Sequence, residues 1–367
     1  MSFNGHIDSR LELDENIKPG DHRYNAAIAV MASKLSYENK AFIEKVVNDQ
    51  WQMDFLGAYD FWNEYQEKAT TQAFLFKGKP DDNSELIVVA FRGTETFDAD
   101  AWSTDVDLSW YEFPHVGKVH GGFMKALGLQ RNLGWPKEID QLVNIQNPKV
   151  AYYAIRDKLR ELLGENEKAK FIVTGHSLGG ALAILYPSVL VLHEEDFLLE
   201  RLEGIYTFGQ PRVGDEKFGD YIKEKMKNMN IQYYRFVYGN DLVPRLPYDD
   251  STMMFKHFGT CVYYDSFYHG QIVAEEPNKN YFSLIYFIPK TVTATWEFIR
   301  SFTISYTRGE KYYEGGVLRC FRMFGLLVLA GIPAHLCQDY VNATRLGSPQ
   351  IFLDDGGSHI IQKTKAN

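Results

Sequence analysis

The chain has 367 residues, 45% of them hydrophobic and 24% charged, enough for one large domain or two medium ones. Its formal net charge of -9 excludes a globally basic footprint for nucleic acid. Its three cysteines, Cys261, Cys320 and Cys337, are well separated and form no CxxC pair, which argues against a disulfide framework and a zinc site and fits a reducing compartment.

The first 23 residues (MSFNGHIDSRLELDENIKPGDHR) are polar and acidic, with neither the apolar core of a signal peptide nor an arginine-rich transit face. They read as a flexible segment, and cytosolic synthesis is the expectation. Residues 24–49 place Ala27, Met31, Leu35, Phe42 and Val46 at helical spacing, with a break near Ser36. Five short runs rich in β-branched or aromatic residues follow, at 71–76, 85–91, 169–175, 203–209 and 231–238, and read as buried strands. Helical patterns over 149–163, 178–193 and 214–228 alternate with them. Strands alternating with helices call for an α/β fold with a mostly parallel central sheet flanked by helices. No repeat or proline-rich linker divides residues 24–367, so one domain is expected there.

Residues 275–333 break this rhythm and read as an aromatic-rich insertion. From Tyr281 to Arg322, six basic residues stand against three acidic ones in a chain that is acidic overall. Two readings stay open: a basic, aromatic patch that docks on lipid, or aromatics packed on the sheet as an acyl-chain wall with the charges solvated. The uncharged run Met323–Ala334 is too short to cross about 30 Å of hydrocarbon.

Residues 175–179 read Gly-His-Ser-Leu-Gly, a GxSxG pattern. Alone it is a weak signal. Here the β-branched run FIVT precedes it and Gly180, Ala181 and Ala183 follow, which supplies the strand, tight turn and small-residue helix that the motif requires. Serine is a poor nucleophile unless a base, itself held by a third group, accepts its proton. In hydrolases of this kind the order is Ser, Asp/Glu, His. Four histidines lie downstream, His257, His269, His335 and His359, and Asp241 follows the 231–238 strand at the edge where α/β sheets bind ligands.

Five blocks, VVAFRGTE (88–95), KVHGGF (118–123), VTGHSLGGALA (173–183), YTFGQPRVGD (206–215) and GNDLVPRLP (239–247), occur in the order seen in class 3, fungal-lipase-like α/β hydrolases, which residues 24 to about 270 resemble. The insertion and the tail GIPAHLCQDYVNATRLG (331–347) are similar to the plant oil-body triacylglycerol lipases, although the apolar N-terminal extension often found there is not seen here. The resemblance implies Ser177 as nucleophile, Asp241 as orienting acid and His335 as general base, with the backbone N–H groups of Thr94 and Leu178 as oxyanion donors. It demotes His257 to a structural role, and His269 and His359 match no block.

The same resemblance places a lid at about 95–110, with Trp102 and Asp105 as its marked residues. It implies no metal or organic cofactor. The expected reaction is release of fatty acids from triacylglycerol, an acylglycerol lipid, through an acyl-enzyme on Ser177, at a lipid droplet or membrane surface and by a cytoplasmic, peripherally attached serine-dependent ester hydrolase. Phospholipase A1 or galactolipase activity is the alternative chemistry, and a catalytically idle interaction scaffold the alternative of another class. The sequon Asn342-Ala343-Thr344 is expected to be unmodified.

Overall fold

The computed structural model describes residues 2–64, 66–81, 84–94, 109–129, 149–251, 253–279, 281, 286–327 and 331–348. Among them an eight-stranded sheet runs in the order β1-β2-β3-β6-β7-β8-β9-β10. Its strands are β1 (Asp54–Asn63), β2 (Lys68–Asp81), β3 (Ser84–Phe91), β6 (Ala169–His176), β7 (Leu202–Phe208), β8 (Gln232–Tyr238), β9 (Thr260–Tyr264) and β10 (Gly270–Val273). The five strands from β3 to β9 pair in parallel, while β1, β2 and β10 are antiparallel to their neighbours. A separate hairpin joins β4 (Trp110–Phe113) to β5 (Gly117–His120).

Successive side chains of a strand point to opposite faces, so each central strand feeds two cores. On one face Val89, Phe171, Val173 and Ile205 pack with Leu159 of α2 (Ala151–Glu165), Leu182 of α3 (Leu178–Leu192) and Ile222 of α4 (Glu216–Asn228). On the other, Val88, Ala90, Ile172 and Phe236 meet Ile28 and Ala32 of α1 (Tyr24–Leu35) and Val341 of α7 (Cys337–Leu346). Helix α4 starts because Asp215 caps it, accepting the Phe218 N–H at 2.8 Å, and Lys225 and Lys227 complement its C-terminal dipole.

Helix α1 ends at Leu35, and a new helical turn, Lys40–Lys45, is capped by Asn39 accepting from Phe42 N at 3.0 Å. The expected break near Ser36 is therefore two caps meeting. Part of the segment 2–23 packs on the helical layer, with Ile7, Asp8, Arg10 and Ile17 buried. Asp8 and Arg10 form a buried pair at 2.8 Å, Lys34 lies 3.5 Å from Asp8, and Arg10 donates to Asn342 Oδ1 at 2.7 Å. Burial pushes the Asp8 carboxyl up, but Lys34 and Arg10 more than offset it and hold the acid well below its ordinary value. Asn342, the sequon residue, is itself buried and also donates to Tyr268 Oη at 2.9 Å.

The insertion forms an antiparallel pair of helices, α5 (Phe287–Arg308) and α6 (Gly316–Leu327). The sheet-facing side of α5 carries Lys290, Ala294, Glu297, Arg300, Ser301 and Ile304, while large apolar side chains such as Ile288, Val292 and Tyr306 face outward. Most of the charged residues of this segment, Lys290, Glu297, Arg300, Glu314 and Arg322, are buried, so the charges are not the solvated ones that one of the two open readings required. No helix among the described residues is long and apolar enough to cross a membrane.

Candidate active site

Strand β6 ends at His176, helix α3 begins at Leu178, and Ser177 makes the turn between them with φ 59° and ψ -131°. A positive φ is strained for a residue with a Cβ, and it persists only where the surroundings impose it. The imposing contacts are visible. A Cβ on Gly175 would lie 2.1 Å from the Gly179 carbonyl oxygen, and one on Gly179 would lie 2.4 Å from that of Phe91. Hydrogen alone fits, so the helix sits hard against the strand ends. The Ser177 N–H donates to Phe208 O at 2.9 Å, and its carbonyl accepts from Gly180 N at 2.9 Å.

His335 closes a short 3-10 turn, Pro333–His335, between α6 and α7. Its Nε2 lies 2.8 Å from Ser177 Oγ, and its Nδ1 lies 2.8 Å from Asp241 Oδ2. Asp241, fully buried in the loop after β8, accepts from Val243 N at 2.9 Å through Oδ1 and from the Tyr340 hydroxyl through Oδ2. Arg245 donates to the Asp241 and Gly239 carbonyl oxygens and so braces the loop. Gly209, at φ +59°, completes the fit, because a Cβ there would stand 2.9 Å from Asp241 Oδ2 and 3.0 Å from the His335 ring.

His176 and Tyr340 are members of this arrangement that sequence reading did not single out. His176 Nε2 lies 2.7 Å from the His335 carbonyl oxygen, and Nδ1 lies 2.8 Å from Tyr37 Oη. Burial, then the nearby His335, pushes the His176 pKa well below its ordinary value. The ring is therefore neutral. A carbonyl only accepts, so Nε2 carries the proton and Nδ1 accepts from Tyr37. His176 was legible only as the second letter of GHSLG, and Tyr340 carried no motif signal.

Thr94, three residues past the end of β3 at Phe91, is buried, and its Oγ1 has no hydrogen-bond partner among the described residues. Leu178 is the first residue of the 15-residue α3, where N–H groups lack intrahelical acceptors and the helix dipole favours negative charge. Trp102 and Asp105, with most of the expected lid, lie outside the described residues, as does His359. The His257 side chain is buried with Nε2 2.6 Å from Pro244 O and makes no hydrogen bond to Ser177, Asp241 or His335, and burial followed by Arg235 pushes its pKa well down. His269 is exposed beside Asp265 at 3.4 Å.

A buried ionic cluster lies next to the site. Arg322 forks onto Glu314 at 2.6 and 2.9 Å and reaches Asp339 at 3.1 Å, while Arg300 donates to Asp339 at 2.9 Å and to Tyr238 Oη at 2.8 Å. Tyr238 in turn donates to Glu297 Oε1 at 3.0 Å. Two guanidinium groups thus face three carboxyl groups. Burial and then Asp339 raise the Glu297 pKa, from 4.5 to about 7, whereas the two arginines hold Asp339 below its ordinary value against the effect of burial. A carboxyl with a raised folded pKa binds its proton more tightly when folded, so this contribution to stability falls as pH climbs from about 4.5 to about 7. Glu297→Gln keeps the acceptor for Tyr238 and removes the titration. We expect it to stabilise the protein at pH 8 by on the order of 2 kcal/mol and to change little at pH 5. Thermal unfolding at the two pH values checks this, and an equal effect at both would refute it.

A strained serine at a strand-to-helix turn, bonded to a histidine that is bonded to a buried aspartate, on a mostly parallel sheet, defines the α/β-hydrolase class. Residues 88–251 match the family Lipase (class 3). The chain is 48% identical over 334 residues to triacylglycerol lipase OBL1 of Arabidopsis thaliana, covering 87% of this chain and 64% of that protein. It is 43% identical over 416 residues to the OBL1 lipase of Nicotiana tabacum, covering 95% of this chain and 72% of that one. Among solved structures, the triacylglyceride lipase of Rhizomucor miehei aligns with a TM-score of 0.41 at 27% identity, over 57% of this chain and 66% of that one. The chain belongs to the class 3 lipase family, in the branch that holds the plant OBL1 proteins. It spans about 64% of the length of the Arabidopsis relative.

Proposed function

We propose that the chain is a serine-dependent carboxylic ester hydrolase that releases fatty acids from triacylglycerol at the surface of a lipid droplet or membrane, as a cytoplasmic, peripherally attached enzyme. The observation that carries this is the pair of 2.8 Å contacts that His335 makes with Ser177 and Asp241. The substrate class is supported by the relatives at 48% and 43% identity, which are named triacylglycerol lipases.

With its Nδ1 proton directed at Asp241, His335 presents Nε2 as an acceptor and takes the Ser177 proton as Oγ attacks the ester carbonyl. Negative charge grows on the carbonyl oxygen and is met by the N–H groups of Thr94 and Leu178, each such donor being worth about 10² to 10³ in rate. The tetrahedral intermediate collapses, the C–O bond to the glyceride breaks, and His335 returns the proton to the departing alkoxide. Water then attacks the acyl-serine with the same histidine as base, which frees the fatty acid and restores Ser177. Asp241, held by Val243 N and Tyr340, fixes the tautomer throughout. His176, bonded to the His335 carbonyl, steadies the backbone that carries the base.

The test is fatty-acid release from trioleoylglycerol, phosphatidylcholine and galactolipid emulsions, run beside covalent labelling with a fluorophosphonate. Release from trioleoylglycerol is the expected outcome. Release from the polar lipids alone would replace the assignment with phospholipase A1 or galactolipase activity, and an unlabelled serine with no turnover would make the chain an interaction scaffold.

A further inference from the structure

Helix α5 is inside-out. A helix on the surface of a soluble protein turns its apolar stripe to the core and its charges to water. Here Lys290, Glu297 and Arg300 point inward, and the outer stripe reads Ile288, Val292, Ile299, Phe302 and Tyr306, at spacings of four, seven, three and four residues. Ile288, Val292 and Tyr306 are 73%, 63% and 90% exposed. Helix α6 repeats the pattern, with Val317, Met323 and Phe324 exposed while Arg322 is buried. Two helices in contact thus both turn apolar side chains to the outside, with Arg319 of α6 lying over the Phe302 ring of α5 at 4.6 Å, and exposed apolar surface of this extent marks an interaction surface.

The charges that remain outside say what meets it. Of the ionisable side chains on this helical pair and its connection, Glu297 and Glu314 are sequestered in the ionic cluster. Arg308, Lys311 and the half-buried Arg319 are left at the surface against Glu310 alone. An apolar stripe edged by cations, on a chain of net charge -9, matches acyl chains beneath anionic headgroups and would attract a phospholipid-covered surface where the rest of the molecule is repelled. The place in the fold agrees. The C-terminal half of α6 rests on the turn that carries His335, since a Cβ on Gly325 would lie 2.3 Å from Pro333 Cγ.

We propose that the outer face of α5 and α6 is the surface by which this protein docks on a phospholipid-coated lipid interface, with the apolar stripe inserted among acyl chains and Arg308 and Lys311 at the headgroups. This deepens the lipase reading and rests on it for its biological sense, while its test is independent of catalysis.

The test is flotation of the full chain with trioleoylglycerol droplets coated with phosphatidylcholine, with and without phosphatidylserine, alongside hydrolysis of a soluble short-chain ester. Wild-type protein should float, and more completely with phosphatidylserine. The Ile288→Glu/Ile299→Glu/Tyr306→Glu variant should lose at least about tenfold in droplet partition and keep its soluble-ester rate and its melting temperature. Arg308→Gln/Lys311→Gln should lose the phosphatidylserine increment alone. The proposal is overturned if the triple variant floats like wild type, or if wild-type protein is a dimer in lipid-free buffer that the same substitutions dissociate, since a second copy would then own this face. Failure of soluble-ester hydrolysis in a wild-type protein that floats would instead sink the enzyme reading and leave the docking face standing.

Discussion

Replacing His335 by alanine is expected to lower kcat on a soluble ester by about 10⁴- to 10⁶-fold, and Ser177→Ala by a similar factor, because the two act as one unit. The loss should fall on kcat with little change in KM, since a small ester gains little binding from either side chain. Asp241→Asn should cost about 10⁴-fold, as the amide no longer favours the tautomer with Nδ1 protonated. His257→Ala supplies the contrast. Its imidazole anchors the Pro244 carbonyl and lies 3.8 Å from Glu276, so the variant should melt earlier while the folded fraction keeps its kcat. Steady-state kinetics and thermal unfolding on the four purified variants decide between the histidines. A His335→Ala protein that retains wild-type turnover would remove that residue from the proposed triad.

The central strands were legible because they are buried on both faces, so β3, β6, β7 and β8 read as nearly continuous apolar runs. Strand β1 was not. It lies at the sheet edge, most of its residues are half-buried, and Asp54, Gly57, Asp60 and Asn63 interrupt any alternation. Ser177 was legible through the turn its neighbours impose. His335 had no comparable local signal, because what makes it a partner of Ser177 is 158 residues of intervening fold, and only resemblance selected it from four histidines. The insertion misled in a specific way. Counted along the chain its charges left two readings open, a basic lipid-docking patch or solvated charges beside an apolar wall, and neither includes a buried cluster, because a guanidinium and a carboxylate that pair between separate elements cannot be recognised from either residue's neighbours.

That pairing makes Arg322→Ala the substitution with the largest expected effect on stability. The side chain is buried and is the shared partner of Glu314, Asp339 and, at 3.7 Å, Glu297. Its removal leaves three buried carboxyl groups facing Arg300 alone. Breaking one side of such a cluster costs about 3–5 kcal/mol, which for a chain of this size is roughly 4–6 °C in Tm. Lysine should not rescue it, because a single ammonium cannot make the two parallel bonds that the guanidinium gives Glu314. Glu314→Gln/Arg322→Met should recover part of the loss, since it removes a charge from each side. The effect should also reach the site. Asp339 immediately precedes Tyr340, whose hydroxyl holds Asp241, so folded Arg322→Ala protein should turn over a soluble ester more slowly than wild type. Unfolding followed at pH 8, with Lys223→Ala on the exposed side of α4 as the reference, measures the stability term. A loss no greater than that reference would mean that the cluster is not what holds the apolar-faced helices and the His335 turn in place.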